Sequence, residues 1–198
     1  MCDLFDRRRA VLLLGSLLVA CAAPAADRST QAAIEAPRPP LRLAVGELVE
    51  GSGPPPLPEA NFIDERRSRE LAKALRQRLR TRLTPAGGTA TARFELEQVA
   101  LTERLAGGRQ GGFAGLVTRE PTFAQDGAIA VRLRILDGGG RELAQTRVAV
   151  QRARALPAGS SVTTRDEGAR VLAADLLAQF EDALEVAVRD TLGAWLVE

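Results

Sequence analysis

Few side chains of this protein are suited to covalent or acid–base chemistry near neutral pH. Its 198 residues include no histidine, no tyrosine and only two cysteines. Histidine is the usual general base near neutral pH and the commonest metal ligand, so its absence argues against most hydrolytic and metal-dependent sites. Cys2 and Cys21 are therefore the first candidates for a chemical role.

Cys21 ends a segment that has the parts of an export signal. Three arginines at positions 7–9 precede an apolar core over residues 11–20, which closes as Leu17-Leu18-Val19-Ala20-Cys21. This ending resembles a bacterial lipobox, where signal peptidase II cuts before a cysteine that has been acylated. The resemblance implies a signal peptide over residues 1–20 and an acyl chain such as palmitate on Cys21.

Two other interpretations of this segment stay open. A plain secretory signal would leave Cys21 without a role. A retained transmembrane anchor needs about 20 apolar residues to cross roughly 30 Å of hydrocarbon, and the uninterrupted apolar stretch is shorter. Lipidation is the prediction that accounts for the cysteine as well as for the apolar core.

Removal of residues 1–20 leaves a mature chain with nearly balanced charge. The full chain carries 27 basic and 25 acidic side chains, and the signal takes three arginines and two aspartates with it, so the net charge falls from +2 to +1. This balance predicts no general attraction to nucleic acid. Cys2 is lost as well, so a disulfide or a cysteine metal site is not expected.

The remaining candidates for catalysis or ligand binding lack necessary partners. Ser160 and Ser161 have no histidine to activate them. The pairs Asp166-Glu167 and Glu181-Asp182 are predicted to face solvent on a helix. No Gly-Lys-Ser/Thr follows the glycine-rich segment 107–112, as phosphate-binding loops require, and an EF-hand pattern is absent. We expect no enzyme activity, metal, cofactor or nucleotide.

The first half of the mature chain predicts a tether, a strand and a helix. Residues 21–40 are rich in Ala and Pro, which is typical of a linker to a single domain over residues 41–198. Leu41, Leu43 and Val45 alternate as in a strand. An apolar residue recurs every four positions from Leu71 to Leu83, which predicts a helix over residues 61–83.

The second half predicts three strands and a long helix. Residues 92–104 alternate with a phase slip near Gln98, which indicates a bulge. The strand through residues 129–135, a glycine turn at residues 137–140 and a strand over residues 142–153 predict a hairpin. Thr164 and Glu167 fit a capping box before a helix over residues 165–196, whose last turns, with Trp195 and Leu196, are expected to overhang the body.

This order of elements, β-α-β-β-β-α, predicts the fold class. We expect an α+β two-layer sandwich, with a small four-stranded sheet that is antiparallel or mixed and two helices on one of its faces.

The plan of the chain from about residue 41 to residue 197 resembles a group of envelope proteins. The features that carry the resemblance are the alternating strand, the turn ending in Gly140-Arg141-Glu142-Leu143-Ala144, the second strand and the closing alanine-leucine helix. They are similar to the auxiliary lipoproteins of ABC-type envelope transport and, more distantly, to the lipopolysaccharide-assembly lipoprotein. The whole mature chain resembles uncharacterised alphaproteobacterial lipoproteins, although it lacks the tyrosine-rich opening of the transport auxiliary family.

The resemblance implies a non-enzymatic, periplasm-facing accessory or assembly subunit of an envelope transport complex. Its expected partners are the membrane, through the lipid, and another envelope protein. Ala22 after the lipidated cysteine favours the outer over the inner membrane, by analogy with enteric lipoproteins. A stand-alone module that binds lipid or an envelope polymer is the alternative.

Two groups of residues are candidates for contact with anionic lipid or a partner. The predicted first helix carries Arg76, Arg78, Arg80 and Arg82 on a basic surface, and each cation near an anionic membrane contributes about 1 kcal/mol. A solvated helix face with intrahelical ion pairs is the simpler explanation. The loop over residues 106–127 holds the apolar candidates Phe113, Leu116 and Phe123, which either dock a partner or pack back on the domain.

Overall fold

The computed structural model describes residues 38–56, 61–105, 123–157 and 159–197. Cys21, the predicted signal peptide and nearly all of the predicted tether lie outside these ranges, as do Phe113 and Leu116. Contacts group residues 37–198 into one compact unit, whose described residues form the fold.

Helix α1 spans Phe62–Arg82 and begins at a side-chain cap. The Asn61 Oδ1 atom accepts hydrogen bonds from the backbone N–H groups of Ile63 and Asp64 at 2.9 and 3.0 Å, which satisfies two of the amides that a helix start leaves free. The predicted apolar stripe is buried, with Leu75 and Leu79 almost inaccessible to solvent. The helix predicted over residues 61–83 is confirmed except for one residue at each end.

Six strands of the described residues form two sheets. Their bounds are β1 Leu41–Leu43, β2 Glu47–Glu50, β3 Leu83–Pro85, β4 Thr91–Leu105, β5 Phe123–Leu136 and β6 Glu142–Ala155. The main sheet has the order β2-β4-β5-β6, and β1 pairs with β3 in a separate parallel pair. Strands β2 and β4 are parallel neighbours joined through α1, whereas β4, β5 and β6 are antiparallel. The predicted α+β class with a four-stranded sheet is confirmed.

The strand predicted over Leu41–Val45 is confirmed only as far as Leu43. The chain bends between Leu43 and Glu47, so that β1 pairs with β3 and β2 pairs with β4. Glycine permits the close crossing at this bend, because a Cβ on Gly46 would lie 2.6 Å from the carbonyl oxygen of Gly88. Leu83, which the four-residue periodicity predicts to be helical, belongs to β3, where its side chain still reaches the core.

The predicted bulge and hairpin are both confirmed. The β4–β5 register shifts between Leu96 and Gln98. Strands β5 and β6 meet at a turn in which the Asp137 Oδ1 atom accepts from the N–H groups of Gly139 and Arg141, at 3.0 and 2.9 Å. Gly140 has φ +81°, a backbone conformation that favours glycine.

Helix α2 spans Val162–Leu192, and both of its ends differ from prediction. Its N-cap is Ser161, whose Oγ accepts from the N–H of Thr164 at 3.2 Å, so the capping box at Thr164 is wrong. A 3₁₀ turn over Gly193–Trp195 follows. The Ala44 N–H donates to the Trp195 carbonyl at 2.7 Å, and thus the chain end pairs with the N-terminal segment and does not overhang.

The core lies between the main sheet and the two helices. Its largest fully buried side chains are Phe94, Phe180, Leu43, Leu75, Leu79, Leu83, Leu96, Ile129, Leu133, Ile135, Leu176 and Leu184. The strand members of this set alternate with polar residues, so one sheet face packs against both helices. We call the other side the open sheet face.

We predict that Gly46→Ala destabilises the fold by about 1–3 kcal/mol, because the added Cβ meets backbone that has no flexible end to move aside. Gly138→Ala is the matched control, since a Cβ there meets nothing within 4 Å, and we expect a change within about 0.5 kcal/mol. Chemical denaturation of both variants measures the difference. Equal stabilities would contradict the close crossing.

Candidate functional site

The open sheet face carries a charged half and a small-residue half. In the charged half, the Arg132 Nη2 atom lies 2.5 Å and the Arg147 Nε atom 2.6 Å from the Glu97 carboxylate, and Arg134 pairs with Glu95. The hydrogen bond from Arg147 holds the pKa of Glu97 below its usual range. These pairs join β4, β5 and β6, with three arginines sharing two carboxylates, so this half of the face keeps an excess of positive charge.

The small-residue half of the same face forms a shallow concavity of about 460 Å³. The strand registers place Ala100 beside Ala128 and Ala128 beside Gln151. Because alanine side chains barely rise above the backbone, another surface can approach the sheet closely here. The Arg104–Asp126 ion pair at 2.6 Å borders this half.

Strand β6 is an edge strand of the main sheet, and no strand of the described residues pairs with its side that faces away from β5. The Leu156 N–H donates to the Phe123 carbonyl at 2.8 Å, and the regular register from there turns the N–H and C=O groups of alternate residues away from β5. These free groups belong to the residues whose side chains lie on the open sheet face, from Gln145 to Ala153. An edge of this kind is a template for pairing with another chain.

Two of the four candidate arginines, Arg76 and Arg80, share one partner on β2. The Arg76 Nε atom lies 2.5 Å and the Arg80 Nη2 atom 2.9 Å from the Glu50 carboxylate. They are one helical turn apart, so both reach the end of the neighbouring strand. These contacts tie α1 to β2.

The other two candidates, Arg78 and Arg82, pair with helix α2. Arg78 lies 2.9 Å from Glu181, and Arg82 lies 3.0 Å from Glu185. Arg82 is only 3% exposed, and its Nε and Nη1 atoms are buried without a hydrogen-bond partner. All four candidate arginines thus have a carboxylate partner, and Arg82 is removed from the surface.

Glu181 is buried, and the expectation that it faces solvent is wrong. The residue is 5% exposed. Its carboxylate forms an ion pair with Arg38 at 3.4 Å in addition to the pair with Arg78. Arg38 also reaches Asp182 at 2.5 Å. Arg38, the first described residue, is therefore bound by ion pairs to the C-terminal half of α2.

Glu103 on β4 is the centre of a polar network where both helices begin. Its carboxylate accepts hydrogen bonds from the Arg165 guanidinium at 2.8 Å, the Gln125 amide at 3.0 Å and the Arg67 guanidinium at 3.5 Å. Arg67 also contacts Asp166 at 2.5 Å. One strand carboxylate thereby fixes the starts of α1 and α2 relative to the sheet.

Two aspartates beside this network have shifted pKa values. Burial raises the pKa of Asp64, although the Glu103 backbone and Arg67 oppose the shift. The hydrogen bond from Arg67 lowers the pKa of Asp166. A carboxyl with a lowered pKa in the folded state stabilises the fold above its ordinary pKa and loses that contribution as the pH falls through the lowered value.

Of the three apolar loop candidates, the structure describes Phe123. Phe123 begins β5 and pairs with Leu105, and the Arg165 guanidinium carbon lies 4.5 Å from the centre of its ring. This is a cation–π contact within the domain. Phe113 and Leu116 lie outside the described residues.

The described residues hold no group of three or more His, Cys, Asp or Glu side chains that could bind a metal ion. None of the helices in these ranges has the length and apolar character needed to cross a membrane. Ser161, one of the two serines considered for catalysis, instead caps α2.

Comparisons with known proteins give fold similarities at low identity. No family model and no curated protein matches the chain. A minor lipoprotein from Acinetobacter baumannii is similar at 10% identity and TM-score 0.38, over 80% of this chain and 99% of that one. The rare lipoprotein B from Shewanella oneidensis is similar at 14% identity and TM-score 0.37, over 73% and 99%.

The PelC dodecamer from Paraburkholderia phytofirmans is also similar, at 15% identity and TM-score 0.25, over 71% of this chain and 88% of that one. At these identities and TM-scores the similarities carry no inference about function.

We predict that Glu103→Ala lowers the free energy of unfolding by about 1–3 kcal/mol, because it leaves Arg67 and Arg165 without their shared partner in a partly buried site. Glu167→Ala is the matched control. Its ion pair with Arg170 is largely exposed, so the expected change is within about 0.5 kcal/mol. Urea denaturation compares the two, and an equal effect would contradict a central role for Glu103.

Proposed function

We propose that this protein is a periplasm-facing lipoprotein, anchored through Cys21, that acts without catalysis as an accessory or assembly subunit of an envelope transport complex. The observation that carries the proposal is the contrast between the two sides of the main sheet. One side is closed by α1 and α2, whereas the open sheet face and the β6 edge are uncovered by the described residues.

The open sheet face suits contact with another protein better than binding of a small ligand. Its concavity is shallow, and both of its glutamates, Glu95 and Glu97, already pair with arginines within the sheet. A partner that packs on the alanines therefore gains close backbone approach without having to neutralise buried charge. The free N–H and C=O groups of β6 offer directional hydrogen bonds beside it.

The anchor in this proposal comes from the lipobox at Cys21. Once residues 1–20 are removed, Cys21 is the only cysteine of the mature chain. Acylation of that residue would hold the domain at a membrane surface while leaving the domain itself in the aqueous compartment. The carboxylate partners of Arg76, Arg78, Arg80 and Arg82 reduce the cationic surface that a stand-alone lipid-binding module would use.

We expect Cys21→Ser to abolish incorporation of labelled palmitate and to leave an unprocessed chain, because signal peptidase II requires the acylated cysteine. Cys2→Ser is the matched control, and it should be labelled and processed normally. Mass spectrometry of the mature N-terminus and membrane fractionation measure both effects. Palmitate labelling of the Cys21→Ser chain would overturn the anchor.

A photo-crosslinking residue at Gln151 should give a discrete, stoichiometric protein adduct in the envelope of the native host. The same residue at Gln77, an exposed glutamine on α1, is the matched control. Identification of the adduct as a component of a transport or assembly complex would support the proposal. Absence of an adduct at Gln151, or the same adducts at both positions, would overturn docking through the open sheet face.

A further inference from the structure

Four large apolar side chains are exposed at the end of the sheet where both helices begin. Phe62 is 73%, Leu105 65%, Val162 63% and Ile63 47% exposed. We call these four residues the helix-start surface. Exposed apolar side chains gathered in one place mark contact sites more often than single ones do.

The four residues come together although they are far apart in the chain. Phe62, Ile63 and Val162 line one groove of about 620 Å³, together with Glu103. Leu105 lies two residues beyond Glu103 and on the same face of β4. The helix-start surface is therefore continuous across α1, α2 and the end of β4.

The backbone beneath this surface is firmly held. Asn61 and Ser161 cap the two helices immediately before Phe62 and Val162. The Glu103 network ties both helix starts to the sheet. The apolar side chains thus cannot withdraw into the core without breaking caps and ion pairs.

The chain that precedes the domain indicates what this surface meets. Arg38 is fastened to Asp182, about 30 Å along α2 from Val162 at ~1.5 Å per residue. Residues 22–38 can span up to about 60 Å at ~3.6 Å per residue. A lipid on Cys21 can therefore lie in the same membrane plane as the helix-start surface.

We propose that the helix-start surface rests on the bilayer to which the protein is anchored. Phe62, Ile63, Leu105 and Val162 enter the boundary between headgroups and acyl chains, and the exposed Arg66 beside them meets headgroup phosphates. This inference rests on the proposed lipid anchor, and it assigns the membrane contact to residues other than the four candidate arginines in the C-terminal half of α1.

Single introduced cysteines can test the contact, because acylation leaves the mature chain without a free thiol. Ile63→Cys and Val162→Cys, each in the full-length lipoprotein, are labelled with a polarity-sensitive fluorophore and reconstituted into vesicles of phosphatidylethanolamine and phosphatidylglycerol. Leu143→Cys and Val186→Cys are matched controls, since both sites are exposed apolar positions away from this surface. Circular dichroism and thermal melting check that each variant keeps the parental fold.

Quenching of the fluorophore distinguishes the environments that it can occupy. We expect brominated phospholipids to quench Ile63→Cys and Val162→Cys several-fold more than the controls, and aqueous iodide to quench the controls more. Strong iodide quenching at all four sites would overturn the proposal. Weak quenching by both reagents at Ile63→Cys and Val162→Cys would also overturn it, because protein would then cover the surface.

The parental chain separates failure of this inference from failure of the anchor. If Cys21 is acylated, the parent takes up no thiol-reactive label. Labelling of the parent at Cys21 would overturn the lipid anchor, whereas an unlabelled parent with iodide-accessible probes would overturn the membrane contact alone.

Discussion

The difference in length between β2 and β4 constrains the rest of the structure. β2 has four residues and β4 has fifteen, so along most of β4 no strand of the described residues lies on that side. Helix α1 supplies the missing partner at one point, because the buried Ser68 Oγ accepts from the Leu101 N–H at 2.9 Å. Arg67, the preceding residue, reaches Glu103 two residues farther along the same strand. The start of α1 is thereby placed at the far end of the sheet.

Ion pairs with α1 fix the position of the second helix on the sheet. Arg67 contacts Asp166, Arg78 contacts Glu181, and Arg82 contacts Glu185, so α1 and α2 run parallel over the sheet. The last two contacts repeat at a spacing of four residues on both helices, which keeps the pairs on facing sides. Removal of one side chain of such a pair leaves its partner's charge buried or partly buried. The resulting loss of stability exceeds what an intact exposed ion pair contributes. The helix layer is consequently held together by charge as well as by the apolar core.

Local patterns predicted the elements that depend on local physics. The stripe through Leu75 and Leu79 and the hairpin at the 137–140 turn follow from periodicity and glycine chemistry, and both are confirmed. The bend at Gly46, the burial of Glu181 and the shared carboxylate at Glu103 depend on residues distant in sequence, which periodicity does not report. The helix-start surface was missed for the same reason. Its one local signal is an apolar residue directly after each N-cap, outside the core-facing stripe.

The two proposed contact surfaces are compatible because of their relative orientation. The helix-start surface lies where β4 ends at Leu105 and β5 begins at Phe123, whereas the β5–β6 turn lies at the opposite end of these strands. At about 3.3 Å per residue, the fourteen residues of β5 extend roughly 46 Å between the two ends. With Phe62 and Val162 on the bilayer, the strands run away from the membrane. The open sheet face then lies parallel to the membrane normal, so an envelope partner can reach it from the side without displacing the anchored domain.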